Sequence, residues 1–562
     1  MAPHQAIQCV ATTKASDEKI VRRSANYHPA IWEDDYIQSL KSNYKGGELR
    51  AMELVAEVRI LMVEQVVDPL KQLELVDTLE RLGLSYHFEI ETKEILESLR
   101  AESDHDCNMA WKKDDNLYAT ALAFRLFRKH GYKVTQEVFS SFMDENRNYK
   151  ACLCEDWNGL LSLYEASYLL GEGESILENA RDFAAKHLRE YLKQNKNEEI
   201  SMVVDHALEL PLHWRMPRLE TRWFIDVYER RNDRNPIVLE LAKLDFNLVQ
   251  AVHQDDLRYL SNWWKDLCLG EKMTFARDRL VENFLWAVGV ATHPSLGKCR
   301  RILTKVGALI TIIDDIYDVY GTMDELVLFT EAVERWDTST MELLPEYMKI
   351  CFLALFNCIH ETAFDILKEQ GINTIPLLRK MWADLCKAYL LEAKWYYSGY
   401  KPTLQEYIHN GFISVSFPVI LVHAYLATNS IRKECFKYFT EYSDMIKFAS
   451  VIGRLGDDLG TSSDELKRGD VPKSIQCYMH ESGASEVEAR QHIHELIDST
   501  WKKINNEERI VDDQSSFSQT FKQIAVDLPR MGHCMYQHGD GHGIGYRETK
   551  DRILSLIVFP IP

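Results

Sequence analysis

Two groups of oxygen-bearing side chains in the second half of the chain could bind metal ions. In the first, Asp314 and Asp318 lie four residues apart, with Asp315 between them. Residues four apart share a face of an α-helix, and the apolar run 306–313 predicts that this helix is buried. Two like charges so close raise each other's pKa unless a cation neutralises them, and Mg²⁺ suits an all-oxygen site. A solvated acidic face is the alternative, but the apolar run favours a cavity wall.

The second group has Asp457, Thr461 and Glu465 at intervals of four residues, with Asp458 beside them. This spacing places two carboxylates and one hydroxyl on a single helical stripe. All three are hard oxygen ligands that suit Mg²⁺ or Mn²⁺. The hydroxyl favours a metal site because a solvated acidic stripe has no need of it, although a helical threonine can also bond back to the preceding turn. Two oxygen-only helices in one chain predict a metal cluster shared between facing walls.

In this order, the two motifs resemble those of the plant class I terpene synthases. Arg22 and Arg23, followed after eight residues by Trp32, match the family's RR-x8-W pattern, and Arg277 and Arg279 match its RxR motif. The resemblance covers nearly the whole chain. It implies an enzyme that ionises an allylic prenyl diphosphate and releases diphosphate, with three Mg²⁺ ions, or Mn²⁺, as cofactor.

The resemblance also implies which residues hold the ions and the diphosphate. The expected metal ligands are Asp314, Asp315, Asp318, Asp457, Asp458, Thr461 and Glu465. The expected diphosphate contacts are Arg277, Asp314, Asp318, Arg454 and Asp457. Arginine suits this task because its guanidinium binds phosphate with two hydrogen bonds. Arg277 and Arg279 do not share a helical face, so a loop or helix end is needed for both to reach phosphate. The alternatives are a surface salt bridge for the RxR triplet and an aspartate partner for Arg454.

A carbocation needs an apolar pocket with electron-rich walls. Trp286 matches the family's active-site tryptophan, where a cation–π contact is expected. Tyr317 and Phe417 are similar candidates, with core packing as the alternative for each. Ser414 and Ser416, shortly before Pro418, indicate a helix break near the cation, and the small residues Gly307 and Ala308 leave room in the pocket.

The last chemical step needs a proton acceptor or a captured water. Tyr536 and Asp540 match a family loop that closes over the site, and released diphosphate is an alternative base. Glycines at 539, 541, 543 and 545 predict that this loop is mobile. Arg22 and Arg23 are expected to cap the closed site. The expected catalytic residues are therefore Arg277, Trp286, Tyr317, Tyr536 and Asp540.

Length and composition predict an all-α fold with two helical domains. The chain has 562 residues, too many for one core, and only 25 glycines and 15 prolines. Residues 230–236 are the best linker candidate. We therefore predict a disordered leader at 1–21, an α-barrel-like helical domain at 22–235 and a metal-binding, class I terpenoid synthase-like bundle at 236–562. The first domain lacks the DxDD acid of related class II enzymes, which implies that it is not catalytic.

Charge and cysteine usage restrict the partners and the compartment. A net charge of −20 argues against nucleic acid or an anionic membrane as the main partner. The twelve cysteines form no CxxC pair, which fits a reducing compartment without structural zinc. His533, His538 and His542 are interpreted as loop residues. The most apolar stretch, 412–427, is too short and too polar to span a bilayer, so we expect no membrane insertion, and we expect a monomer.

The first 21 residues decide the expected location and substrate. They are polar, carry acids and lack the apolar core of a secretory signal, and they leave little room for a plastid leader. We therefore expect a cytoplasmic enzyme acting on farnesyl diphosphate to give a sesquiterpene. The alternative is a plastid monoterpene synthase using geranyl diphosphate, because RR-x8-W is typical of that branch. A chain-elongating prenyltransferase and a non-catalytic homologue are the remaining alternatives.

Overall fold

The computed structural model describes residues 22–41, 46–101, 116–195, 199–428, 431–468, 470–508, 517–543 and 547–562. The leader predicted at 1–21 and the loop residue Gly545 lie outside this range. The predicted all-α class is confirmed, because the chain is 78% helical. Within the described residues, strand-like pairing is limited to one antiparallel bridge between Met143 and Tyr149.

The helices of the first half surround a helical core of their own and also pack on the second half. They are α1 (Asp34–Ser39), α2 (Glu48–Ile60), α3 (Pro69–Arg81), α4 (Glu89–Ala101), α5 (Leu117–Lys129), α6 (Trp157–Ser167), α7 (Ser175–Gln194), α8 (Glu199–Glu209) and α9 (Pro217–Arg230). A separate apolar cluster is formed by α5 to α8, whereas side chains of α1 to α4 belong to the larger core that continues into the second half.

The second half contains the longer helices. They are α10 (Pro236–Leu267), α11 (Leu269–Lys272), α12 (Leu280–Val290), α13 (Gly297–Asp315), α14 (Met323–Arg335), α15 (Glu346–Gln370), α16 (Ile375–Ser398), α17 (Leu404–Ser414), α18 (Phe417–Leu426), α19 (Phe436–Thr440), α20 (Asp444–Arg468), α21 (Ser474–Ser482), α22 (Glu486–Glu508), α23 (Gln519–Tyr536) and α24 (Arg547–Ile553). Short π-helical turns extend α2, α13 and α24, at Leu61–Gln65, Ile316–Tyr320 and Leu554–Val558.

The local sequence between α9 and α10 explains why α10 starts where it does. The Asn235 side chain accepts hydrogen bonds from the backbone N–H groups of Ile237 and Val238, and Pro236 occupies the first helical position. Asparagine caps and first-turn prolines both favour a helix start. The chain therefore stops and restarts where the linker was predicted. The division into domains at this point remains a prediction.

Polar contacts join α7 of the first half to α22 of the second. Arg181 pairs with Asp498, and the Lys502 ammonium lies 2.7 Å from a Glu178 carboxylate oxygen. Deeper in the interface, the Asn505 amide donates to the Leu170 carbonyl at 2.8 Å. These bonds satisfy polar groups that would otherwise be costly to bury between the two halves.

Two segments, Glu346–Gln370 and Leu404–Leu426, are long and apolar enough to cross a membrane. Half of the apolar window in the first and 72% of that in the second are buried inside the protein. The second segment comprises α17 and α18 and is interrupted between them. Core helices of a helical bundle have this composition, and the expected absence of membrane insertion remains a prediction.

A buried ion pair should contribute strongly to the stability of this bundle. Arg300 in α13 is fully buried, and its guanidinium donates to an Asp256 oxygen at 3.0 Å and to the carbonyls of residues 291, 293 and 294. We expect Arg300→Met to lower the free energy of unfolding by about 3 kcal/mol, because these acceptors lose their donor in the core. Chemical denaturation measures the loss.

Arg301→Met is the matched control. Arg301 binds the same Asp256 at 2.7 Å, but its side chain is 41% exposed. Its loss should cost less than about 1 kcal/mol, because the partly exposed Arg301 is only weakly desolvated and Asp256 keeps its bond to Arg300. Equal losses for the two variants would contradict the assignment of Arg300 as the dominant partner.

Candidate active site

The first predicted metal motif spans the end of α13 and the π-helical turn that follows it. The side chains of Asp314 and Asp318 line one wall of a cavity in the second half, as their spacing predicts. Burial and the neighbouring Asp314 charge raise the pKa of Asp318 well above its ordinary value. Two partly buried carboxylates held this close together favour a cation between them.

The second motif lies across the same cavity, on α20. Asp457, Thr461 and Glu465 all line it. Burial raises the pKa of Asp457, and the charges of Glu465 and Asp458 raise it further. The buried Thr461 hydroxyl oxygen has no hydrogen-bond partner among the described residues. This orphaned oxygen and the mutually repelling carboxylates fit a divalent cation with a preference for oxygen, such as Mg²⁺ or Mn²⁺.

Each wall by itself provides only some of the ligands that a metal ion needs. Within the described part of the chain, no three His, Cys, Asp or Glu side chains converge closely enough to hold an ion alone. Mg²⁺ commonly binds one or two carboxylates and completes its shell with water and substrate phosphates. The arrangement therefore fits ions held between each wall and an anionic substrate.

Three cationic side chains also reach the cavity. One Arg277 guanidinium nitrogen lies 2.6 Å from an Asp314 oxygen, and the Lys473 ammonium lies 3.5 Å from a Glu465 oxygen. Arg454 is the third, within α20. Each cation faces an acid of the metal motifs, so an anionic group could enter between them and contact both metal and cation.

Asp315 and Asp458 were also predicted as metal ligands, and their positions contradict this. Both are fully buried and neither lines the cavity. Asp315 accepts the backbone N–H of Arg277 at 2.7 Å and its guanidinium at 3.2 Å. Asp458 accepts the Tyr407 hydroxyl at 2.9 Å and the Arg454 guanidinium at 2.8 Å. The helical period turns the second aspartate of each pair away from the first, and each then orients a cavity arginine.

Aromatic rings form the apolar end of the cavity. Trp286, Phe417 and Tyr536 all line it. The Trp286 ring centroid is 5.9 Å from that of Phe417 and 6.1 Å from that of Tyr536. Edge-to-face and tilted packing of this kind leaves electron-rich ring faces available to a cation.

Tyr317, in contrast, does not line this cavity, and its predicted place among the catalytic residues is not supported. Its hydroxyl makes a hydrogen bond of 2.7 Å with Thr330 in the core. Its ring packs behind Tyr389, with centroids 5.6 Å apart, and it is Tyr389 on α16 that reaches the cavity. The core-packing alternative therefore describes Tyr317 correctly.

The two N-terminal arginines bind the π-helical turn that follows α13, where Arg22 donates to the Tyr320 carbonyl at 3.0 Å, and the start of α14. The Arg22 guanidinium makes two hydrogen bonds of 2.8 Å to the Glu325 carboxylate. Arg23 donates to the Asp318 carbonyl at 2.9 Å and to an Asp470 oxygen at 2.8 Å. The residues predicted to cap the site thus contact the backbone that carries a predicted metal ligand.

Arg279, the second arginine of the RxR motif, does not line the cavity. Its guanidinium donates to the carbonyls of His28 at 3.0 Å and Gly543 at 2.9 Å. A further bond of 3.2 Å goes to the His542 carbonyl. Arg279 therefore joins the N-terminal segment to the C-terminal loop, on the outer side of the site.

That loop brings two side chains to the cavity, Asp540 and His542. Asp540 accepts the Gly543 N–H at 2.6 Å. Close packing requires glycine at position 541, because an added Cβ would lie 2.3 Å from the Met535 carbonyl oxygen. His542, interpreted from sequence as an ordinary loop residue, places Nε2 3.2 Å from the Thr311 hydroxyl. Burial, with Arg277 and Arg279, lowers its pKa, so the imidazole is neutral.

Several cavity residues escaped the sequence analysis. They are Asn283, Tyr389, Glu392, Lys473 and His542. One of them left a signal. Asn283 lies one helical turn before Trp286 and so shares its face.

Comparisons with known proteins agree with this site. The description "Terpene synthase, N-terminal domain" matches residues 31–208, and "Terpene synthase family, metal binding domain" matches residues 265–503. The chain is 60% identical to (-)-alpha-terpineol synthase of Vitis vinifera over 97% of this chain and 92% of that protein. It is 58% identical to myrcene synthase, chloroplastic, of Quercus ilex over 99% and 93%.

Solved structures are equally similar. A limonene synthase with 2-fluorolinalyl diphosphate superposes with a TM-score of 0.93 at 45% identity, covering 96% of this chain and all of that one. Isoprene synthase of grey poplar (Populus x canescens), in complex with three Mg²⁺ ions and dimethylallyl-S-thiolodiphosphate, gives a TM-score of 0.87 at 46% identity over 94% and 99%.

The relatives overturn one expectation. The Quercus ilex protein and relatives from Coffea arabica and Citrus limon are all named chloroplastic. The prediction of a cytoplasmic enzyme is therefore wrong. It depended only on the composition of residues 1–21, which lie outside the described residues.

Proposed function

This chain belongs to the terpene synthase family, lyases that act on prenyl diphosphates, and we propose that it is a monoterpene synthase that ionises geranyl diphosphate. The observation that carries the proposal is one cavity in which two oxygen-ligand walls and three cations face a cluster of aromatic rings. The substrate length is supported by the names of the relatives, which make terpineol, myrcene and limonene. We propose a plastid location on the same grounds.

We propose that the polar end of the cavity binds the diphosphate. Asp314, Asp318, Asp457, Thr461 and Glu465 would hold the divalent ions, which supply Lewis-acid neutralisation of the leaving group. Arg277, Arg454 and Lys473 supply fixed positive charge beside them. Charge that is already positioned stabilises the departing diphosphate without reorganisation during bond cleavage.

The apolar end then protects the allylic cation. Trp286 and Phe417 present ring faces to the cation, and Tyr389 lines the cavity wall beside α13. Arg22, Arg23 and Arg279 tie the N-terminal segment and the C-terminal loop across the entrance, which excludes water. For the final proton transfer we propose neutral His542, whose Nδ1 is buried without a hydrogen-bond partner in the described residues, together with Asp540.

The substrate can be tested directly. Purified full-length protein with Mg²⁺ is given geranyl and farnesyl diphosphate in separate reactions, and products are identified by gas chromatography with diphosphate release measured in parallel. We expect ten-carbon products and a higher kcat/KM with geranyl diphosphate. Turnover of farnesyl diphosphate alone would overturn the monoterpene assignment. A requirement for isopentenyl diphosphate would instead identify a chain-elongating prenyltransferase.

The width of the cavity depends on Gly307. A Cβ added there would lie 2.5 Å from the Asn283 amide oxygen, which also faces the cavity. We expect Gly307→Val to lower kcat/KM for geranyl diphosphate about tenfold, because overpacking of this size costs about 1–3 kcal/mol. Steady-state kinetics measures the change.

Gly456→Ala provides the control, because this helical glycine has no atom within 4 Å of an added Cβ. Its kinetics should match those of the unaltered enzyme. If Gly307→Val turned over as fast as Gly456→Ala, the cavity would have to be wider at this point than the structure shows.

A further inference from the structure

One face of α17 is polar and yet buried. Tyr407, Asn410, Gly411 and Ser414 follow each other at helical spacing, and the three with polar side chains are 1%, 7% and 4% exposed. A buried polar stripe is unfavourable unless every group finds a partner. The partners of this stripe lie on the two helices that flank the cavity, α16 and α20.

Towards α16, the stripe is bound by one carboxylate oxygen. Oε1 of Glu392 accepts the Asn410 amide at 3.0 Å and also the Ser414 hydroxyl. The same Asn410 amide group donates to the Ala388 carbonyl at 3.1 Å. Three buried hydrogen bonds thus fasten the last turn of α17 to α16, and we call these side chains of Glu392, Asn410 and Ser414 the clamp.

Towards α20, the same face contacts the charged end of the cavity. The Tyr407 hydroxyl donates to Asp458 at 2.9 Å, and Asp458 in turn holds the Arg454 guanidinium. A Cβ added at Gly411 would lie 3.0 Å from Cγ of Arg454, so the α17 backbone packs directly on this side chain. The position of α17 is therefore set from both sides.

The clamp ends where the cavity wall begins. The chain leaves α17 at Ser414 and re-enters a helix at Phe417, and between them Ser416 has φ +67°. A non-glycine residue in this left-handed region costs about 1–3 kcal/mol and persists only when its surroundings determine it. Val415, Ser416 and Phe417 all line the cavity beside the aromatic cluster.

We propose that Glu392 and Asn410 are positioning residues that fix this helix break and thereby set which products the enzyme releases. The proposal rests on the proposed function. The cation partitions among competing cyclisation and deprotonation paths according to the contour of the wall, and small free-energy differences between the paths decide the ratio. With the clamp released, residues 415–417 relax and the ratio changes, while the diphosphate end keeps its own contacts.

The decisive variant is Asn410→Leu. Asn410 does not line the cavity, so its effect must pass through the clamp. Leucine has a similar volume but no donor. We expect at least about a threefold change in the ratio of major to minor products, with the KM for the diphosphate substrate within about twofold of the unaltered enzyme. Gas chromatography of the product mixture measures the ratio.

Asn247→Leu is the matched control. Asn247 is also a buried asparagine, 2% exposed, and it exchanges two bonds of 2.8 Å with the backbone of Ile561, away from the cavity. Its replacement imposes a similar loss of stability and should leave the product ratio unchanged. A ratio that changes equally in both variants would show general loosening and overturn the proposal.

Glu392 variants keep the proposal testable if Asn410→Leu does not fold. Glu392→Gln retains an acceptor for both donors, whereas Glu392→Leu has none, so the leucine variant should change the product ratio several-fold more than the glutamine variant. Equal changes would mean that the charge of Glu392 acts instead of its hydrogen bonds, and the clamp would be rejected.

The two proposals fail in different ways. If the unaltered protein converts no prenyl diphosphate, the proposed function fails. If it converts geranyl diphosphate but folded, active Asn410→Leu gives an unchanged mixture, only the clamp fails.

Discussion

Replacing Asp318 with asparagine is expected to lower kcat/KM about a thousandfold, which corresponds to about 4 kcal/mol of transition-state stabilisation. Asp318 lines the cavity with Asp314, and burial with that second charge raises its pKa. An amide supplies one neutral oxygen in place of an anionic pair, so the divalent ion on this wall loses charge neutralisation as well as a ligand. Steady-state kinetics over a Mg²⁺ titration measures both kcat/KM and the Mg²⁺ requirement, and the latter should rise.

Asp324→Asn is the matched control for Asp318→Asn. Asp324 lies in the first turn of α14, a few residues further along the chain, and its side chain is exposed. Its kinetics and Mg²⁺ requirement should remain those of the unaltered enzyme. Retention of full activity by Asp318→Asn would remove the aspartate wall from the proposed metal site.

The second large effect is expected for Arg277→Lys, with a loss of about a hundredfold in kcat/KM, mostly in kcat. Arg277 reaches the cavity while its guanidinium contacts both Asp314 and Asp315. Lysine keeps the charge but cannot contact two acids and a phosphate with one planar group. Arg301→Lys, on the partly exposed side of α13, is the control and should change neither constant.

Asp315→Asn separates positioning from metal binding. Asp315 accepts both the backbone N–H and the guanidinium of Arg277 and does not face the cavity. We expect a loss of about tenfold that is not additive with Arg277→Lys, because both changes disturb one contact. The Mg²⁺ requirement should stay unchanged, in contrast to Asp318→Asn. A Mg²⁺ requirement that rises as in Asp318→Asn would return Asp315 to the set of ligands.

Three arginines hold the segments that surround the entrance of the cavity. Arg22 binds Glu325 at the start of α14, and Arg23 binds the Asp318 carbonyl. Arg279 binds the carbonyls of His28 and Gly543. The N-terminal segment and the C-terminal loop, far apart in sequence, are therefore tied to each other and to the metal wall.

Local periodicity was enough to predict the parts of the site that lie on one helix. The spacing of Asp314 and Asp318, and of Asp457, Thr461 and Glu465, places each set on one face, because an α-helix repeats every 3.6 residues. The scarcity of glycine and proline likewise predicted the helical class. These inferences need only the geometry of a single element, which the sequence determines by itself.

The tertiary structure alone decided which neighbours face the cavity and which distant residues join them. Asp315 and Asp458 belong to the motifs but point to arginines, and Tyr389 replaces Tyr317, because the orientation of each helix is set by its packing and not by its sequence pattern. Glu392 and Lys473 reach the site from helices and loops with no shared motif. Their convergence depends on contacts between elements far apart in the chain, and no local spacing encodes those contacts.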